Sequence, residues 1–257
     1  MKNQIARAHR IVAVALGLVL TLAQASAAQA AEIKVLCSTA LKTVMQELVP
    51  EFERATGNKV VVEYGVSAPM QRRVEAGEPF DAIFLTVKQL DALVQAGKIA
   101  PGTRTPIARS GMAIAIHAGA ARPDIKTMDA LKRTLLAAKS IAYAKEGASG
   151  LFFIALAKRL GIVEKLKLKG TDTGDEVGQA VASGAAELGM LPVSEILPVH
   201  GIEVLGEFPK EVQEYAISVG GVSVASKQAS AAKELIKFAT APAAAAVIRK
   251  KGMEPER

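Results

Sequence analysis

Four stretches of this chain set small hydroxyl residues at or just ahead of a helix-like run, the first three directly after a strand-like one and the fourth in a capping-type loop. They are Ser38-Thr39, Ser67, Ser149-Gly150 and Thr173-Gly174. A helix start leaves up to four backbone N–H groups without an intrahelical partner and carries a partial positive charge, so hydroxyls and amides gathered there suit an anion. The chemistry on offer is binding by neutral donors. Metal chemistry lacks its ligands, since His117 and His200 form no metal-site spacing. Cys37 is the only cysteine, so no intramolecular disulfide can form, and at the end of an apolar run it reads as a small core residue.

The elements that must position these loops follow from periodicity. Ile33–Leu36 reads as a strand, and Leu41, Val44, Met45, Leu48, Val49 and Phe52 recur at helical spacing until Gly57-Asn58 stops them. The pattern repeats with strand Lys59–Tyr64 and helix Met70–Ala76, then strand Phe80–Leu85 and helix Gln89–Ala96. Such βα order with short connections predicts a parallel sheet covered on both faces. A long apolar strand, Met112–Ile116, then carries the chain out of this first unit. A second series follows: helix Met128–Ala138, strand Ser140–Ala144, helix Leu151–Leu160, helix Glu176–Ser183, and short strands at Leu188–Leu191 and Ile202–Leu205. Strand Tyr215–Val219 with Gly220-Gly221 is the expected return crossing, and helices Ala229–Thr240 and Pro242–Lys251 are expected to pack back on the first unit. The expected architecture is α/β with two lobes, each a mostly parallel sheet flanked by helices, hinged by two crossings. Lobe I takes residues 31–109 plus 221–257 and lobe II residues 110–220. A strand-to-helix loop at the carboxyl edge of a parallel sheet is where open α/β folds place ligands.

Residues 1–30 have the three parts of a secretory signal: Lys2, Arg7 and Arg10, an apolar run from Ile11 to Ala23, and small residues ending at Ala30, with Ala27 the other cleavage position. This expectation places the mature chain in the periplasm. Without those three cations, the 32 Lys and Arg against 25 Asp and Glu leave an excess of about four, and there is no Trp and no run of interleaved aromatics. That balance argues against a nucleic-acid partner. The basic stretch Lys158–Lys169 is interleaved with Leu160, Ile162, Leu166 and Leu168 and reads as a solvated helix face and its following turn.

From Ile33 to Pro255 the chain resembles the periplasmic molybdate-binding proteins of ABC importers, and more broadly the type II solute-binding proteins. Its carriers are Ile33-Lys34-Val35 with Ala40-Leu41 and Met45-Gln46, Val74-Glu75-Ala76-Gly77 with Asp81, Gly150, Leu160-Gly161, Ala180-Val181, Gly189, Ser194, Phe238 and Lys251-Gly252-Met253. The resemblance implies a periplasmic-binding-protein-like clamp that holds a small oxyanion such as molybdate or tungstate, needs no cofactor, works as a monomer and delivers to a membrane permease. It implies Ser67 as a hydroxyl ligand, and Ser149 and Gly174 as backbone donors. The family's first Ser falls on Ala40, so Ser38 or Thr39 takes its place from a shifted position. The family's Tyr falls on Pro192, which has neither hydroxyl nor N–H. With two donors missing, Ser149, Thr173 or Lys145 can supply others, and Lys42 or Arg72 can add charge. The ligand is therefore less constrained than the scaffold, and another small anion or an organic acid is the alternative.

Two further readings stand beside the transport receptor, which is not an enzyme. An exported sensor needs the same closure and a docking surface. A serine hydrolase would use Ser67, because Gly65-Val66-Ser67-Ala68-Pro69 nearly spells the nucleophile elbow Gly-x-Ser-x-Gly, with Asp172 or Asp175 and then His200 following in the order α/β-hydrolases use. Pro69 replaces the second glycine, and no oxyanion-loop glycine cluster precedes Ser67.

Overall fold

A computed structural model describes residues 30–256, so the expected leader lies outside the described residues except for its last position. From Glu32 onward the chain forms one compact unit. Strands β1 (Glu32–Ser38), β2 (Lys59–Gly65) and β3 (Ala82–Thr86) are parallel, in the order β2-β1-β3. Helices α1 (Lys42–Thr56), α2 (Ser67–Glu75) and α3 (Val87–Gln95) connect and follow them, and α1 ends where Gly57 turns left-handed at φ 75°. A second parallel trio, in the order β7-β5-β6, is built from β5 (Ile141–Ala144), β6 (Leu168–Thr171) and β7 (Leu188–Pro192). Its helices are α4 (Met128–Ala137), α5 (Ala148–Arg159), α6 (Gly174–Ala182) and the single turn α7 (Val193–Ile196).

The two trios meet through antiparallel strands. β4 (Thr105–His117) pairs β9 (Tyr215–Val222) along its first half, and from Met112 onward it pairs β7 and β8 (Ile202–Glu207) instead. β9 in turn pairs β3 from Thr86 to Ala82. The result is a mixed α/β fold in which β4 belongs to both sheets. Alternation along β4 sends Met112, Ile114 and Ile116 into the core beneath α4 and α5, while Ala113 and Ala115 face the core beneath α6. A separate core of Leu36, Met70, Ile83, Leu85, Leu90 and Val219 fills the first trio's side. Helices α8 (Ala229–Ala239) and α9 (Pro242–Lys250) return to α1, where the Phe238 ring meets Phe52 edge-on at 5.6 Å. We propose two lobes corresponding to the two sheets.

Several local expectations shift. The return strand does not stop before Gly220-Gly221 but runs through both to Val222, because β3 and β4 hydrogen-bond it from either side. β9 lies against the first sheet along its length, so in this reading the return to lobe I falls between Glu207 and Tyr215, ahead of a boundary at residues 220 and 221. Of the basic stretch Lys158–Lys169, Lys158 and Arg159 form the exposed last turn of α5 as expected, and beyond it the chain forms a short 3-10 turn, Val163–Lys165, and the edge strand β6. β10 (Glu254–Pro255) adds a short antiparallel pairing to Ala108 and Arg109 of β4.

Candidate functional site

All five residues singled out from the sequence, Ser38, Thr39, Ser67, Ser149 and Gly174, line one small cavity of ≈ 20 Å³. Each arrives from the carboxyl end of a parallel strand. Ser38 closes β1 and caps the 3-10 turn Thr39–Leu41, its Oγ accepting from the Ala40 N–H at 3.4 Å. Ser67 is the first residue of α2 after β2, and its Oγ accepts from the Thr86 N–H at 3.3 Å, which leaves its own proton to donate. Ser149 sits in the first turn of α5 after β5, and its Oγ already donates to the Met190 carbonyl at 3.1 Å. What Ser149 can offer a ligand is its first-turn amide. Gly174 opens α6 after β6, beside Thr173, whose Oγ accepts from the Glu176 N–H. The positions that replace the resembled family's Ser and Tyr, Ala40 and Pro192, line the same cavity.

The alternative donors are committed elsewhere. Lys42 pairs with Asp175 at 2.9 Å, Arg72 holds Glu146 through two hydrogen bonds, and Lys145 pairs with Asp172 at 2.6 Å. The first two pairs tie α1 to α6 and α2 to the start of α5, one across each flank of the cavity. Two buried contacts reinforce them: Ser194 Oγ donates to the Ala40 carbonyl at 3.0 Å, and Thr39 Oγ1 donates to Glu195 Oε1 at 3.2 Å.

Glu195 was not visible as a site residue in the sequence. It stands on α7 just after Pro192, and it lines the cavity together with the Ser and Gly donors. By area the residue is only partly covered, while its carboxyl is shut away from bulk water. Burial pushes the carboxyl up to about 7, with Asp175 nearby adding to the rise, while the Thr39 hydrogen bond and Lys42 oppose it. The space for its second oxygen comes from Gly174, where a Cβ would overlap Glu195 Oε2. The cavity thus combines neutral donors for an anion with one acid that holds its proton near neutrality.

A larger groove of ≈ 380 Å³ adjoins the cavity. Ser67, Thr86, Ala148 and Ala216 line both. Beyond them its wall carries the apolar or aromatic Met112, Leu151, Phe152 and Tyr215 together with Lys88, Gln89, Glu146 and Glu214.

The geometry of a nucleophile elbow is missing. Ser67 begins an ordinary helix, and among the described residues no non-glycine has positive φ, so the strained turn that exposes such a serine is not formed. His117 and His200 are both exposed, and His117 Nδ1 is engaged with the Ala118 carbonyl. Among the described residues no group of three or more His, Cys, Asp or Glu could hold a metal ion.

Comparison with known proteins places the site in context. Residues 33–254 match the family model described as bacterial extracellular solute-binding protein. The chain is 32% identical over 230 residues to an aconitate isomerase of a Pseudomonas species, covering 87% of each chain. It is 27% identical over 241 residues to the molybdate-binding protein ModA of Azotobacter vinelandii, covering 89% of this chain and 92% of that one. The solved periplasmic molybdate-binding protein of Azotobacter vinelandii superposes with a TM-score of 0.75 at 21% identity, over 88% of this chain and 100% of the other.

Proposed function

The chain belongs to the bacterial extracellular solute-binding protein family, and from that premise we propose that it is an exported receptor that closes on a small anion and hands it to the permease of an ABC importer. The observation that carries this reading is the convergence of Ser38, Thr39, Ser67, Ser149 and Gly174, from four separate strand ends, on one cavity. An anion enclosed there is matched by hydroxyls and helix-start amides that are themselves anchored, so no partner cation has to be buried with it. The similarity to a molybdate-binding protein supports an anion as cargo. Closure would come from contacts made by both sheets to one ligand, which favour the closed over the open arrangement.

A thermal-shift panel tests it, with molybdate, tungstate, sulfate, phosphate and small organic acids. A ligand at 100 times its Kd adds about 2.7 kcal/mol of stability, which for a protein of this size raises Tm by roughly 5–11 °C. At least one anion is expected to reach that shift. If none does, the receptor reading falls.

A second reading is enzymatic, and Glu195 favours it together with the similarity to an aconitate isomerase. A carboxyl that changes charge near neutral pH, set among donors that would grip an organic acid, is placed for general acid–base proton transfer on that acid. Incubation with cis-aconitate followed by proton NMR decides it. Appearance of the trans isomer, lost in Glu195→Gln, supports catalysis, and an unchanged spectrum ends it.

A further inference from the structure

We propose that the site selects an organic acid, whose carboxylate head lies among the cavity donors and shares a proton with Glu195 while its carbon body occupies the adjoining groove, rather than a bare tetrahedral oxyanion. The inference rests on the receptor reading and names the ligand class for that same site.

Two independent features of the geometry carry it. The first is the carboxyl among the donors. An ionised Glu195 would repel any anion across a few ångströms of poorly solvated space, and the cation facing it, Lys42 from α1, offsets this only in part because it is already paired with Asp175 from α6. Thr39 from the 3-10 turn gives it one hydrogen bond, and no histidine lines the cavity or the groove. An anion is therefore compatible with Glu195 only when a proton lies between them. A carboxylic acid group and a carboxylate form a short charge-assisted O–H···O⁻ hydrogen bond, so the pair is stable with one shared proton. A dianion bound beside a neutral Glu195 could accept the same hydrogen bond, but it gains nothing from the groove.

The groove is the second feature. It is continuous with the cavity through Ser67, Thr86, Ala148 and Ala216, and its ≈ 380 Å³ falls within the ordinary range for organic ligands. The cavity itself is small, at ≈ 20 Å³, so a ligand with a carbon body has to extend from it into the groove. Met112, Leu151, Phe152 and Tyr215 then give the carbon chain an apolar wall, Gln89 and Lys88 offer polar contacts to any second carboxylate, and of the two acids that also line the groove, Glu146 and Glu214, the first is paired with Arg72.

Calorimetric titration of wild type and Glu195→Gln with succinate, tricarballylate, sulfate and molybdate, each at pH 6.0 and 8.5, tests this. The amide keeps the shape of the carboxyl and donates a hydrogen bond at both pH values. For wild type the carboxylates are expected to bind more tightly than sulfate or molybdate, and to weaken tenfold or more at the higher pH, where each binding event must first recruit a proton. In Glu195→Gln that loss should shrink to less than threefold. A carboxylate affinity whose pH dependence is the same in both proteins, or a wild type that prefers molybdate or sulfate, overturns the inference and leaves the receptor reading standing. Absence of binding by all four anions to both proteins overturns the inference and the receptor reading together. A circular-dichroism melt of Glu195→Gln with an unchanged transition shape establishes that the variant is folded.

Discussion

Glu195 shows how one side chain can set the terms of a site. Its carboxyl is raised to about 7 mainly by burial, so the folded protein holds this proton more tightly than the unfolded chain, where a Glu titrates near 4.3. The sign follows from linkage. Below about pH 4 both states are protonated and the burial costs nothing; as pH climbs toward 7 the unfolded chain releases its proton first and stability declines; above about 8 the whole penalty, on the order of 1–3 kcal/mol, is present. Glu195→Gln should therefore raise Tm at pH 8.5 and leave it nearly unchanged at pH 4.5, as read by calorimetric melts of the two proteins side by side. A variant less stable than wild type at pH 8.5 would mean that Glu195 is held as a charge by partners other than Thr39. None of this was legible in the sequence. A glutamate two residues after Pro192-Val193 has no spacing that points inward, and the room it uses is supplied by Gly174 on another element. The serines were legible, because a small hydroxyl between a strand and a helix is a local signal. Cys37 matched its plain reading too: it is fully buried and its thiol is pushed far up by burial, so it is not a nucleophile.

At the scale of elements, the strand-to-helix junctions do the positioning, and their construction is steric. Gly150, in the first turn of α5, approaches β5 so closely that a Cβ would run into the Ala144 carbonyl oxygen, which is backbone and cannot rotate away. Gly150→Ala should lift the start of α5 off the sheet. The expected cost is about 1–3 kcal/mol of stability, measured by urea unfolding, together with a loss of affinity for whichever anion binds, because the Ser149 amide moves with the helix. The parallel βα order was readable in the sequence from the switching of apolar spacing between two and three-to-four residues. What escaped was structure with weak local signal. β6 is Leu168-Lys169-Gly170-Thr171, an edge strand with a single large apolar residue, and it exists through its pairing with β5. β10 is two residues long and depends wholly on β4. Helix ends moved by a residue or two, as in α3, which starts at Val87.

For the whole molecule, two kinds of link cross the cavity and, in the clamp proposed above, would hold it closed. Thr39–Glu195 and Ser194–Ala40 are inside, while Lys42–Asp175 and Arg72–Glu146 are at the solvent edge. Exposed ion pairs contribute little to folding and are screened by salt, but a pair that exists only when two halves meet shifts the balance between open and closed forms. The double variant Lys42→Ala, Arg72→Ala is expected to melt within a few degrees of wild type, yet to release bound anion several-fold faster in stopped-flow displacement. That difference should fade at high salt, where wild type loses the same contacts. An unchanged release rate at low salt would show that the flanking pairs play no part in closure.

The sharing of β4 between both sheets has a mechanical corollary. One continuous strand changes partners between Gly111 and Met112, so in the two-lobed reading proposed above an opening would be taken up as torsion in a few backbone bonds there. The chain's own tail braces that spot: β10 is stitched to Ala108 and Arg109, and the Arg109 guanidinium both grips Glu254 and lies over the Tyr215 ring at 4.8 Å. In that reading Glu254 and Pro255 would act as a splint on the pivot, stiffening it from a distance along the chain.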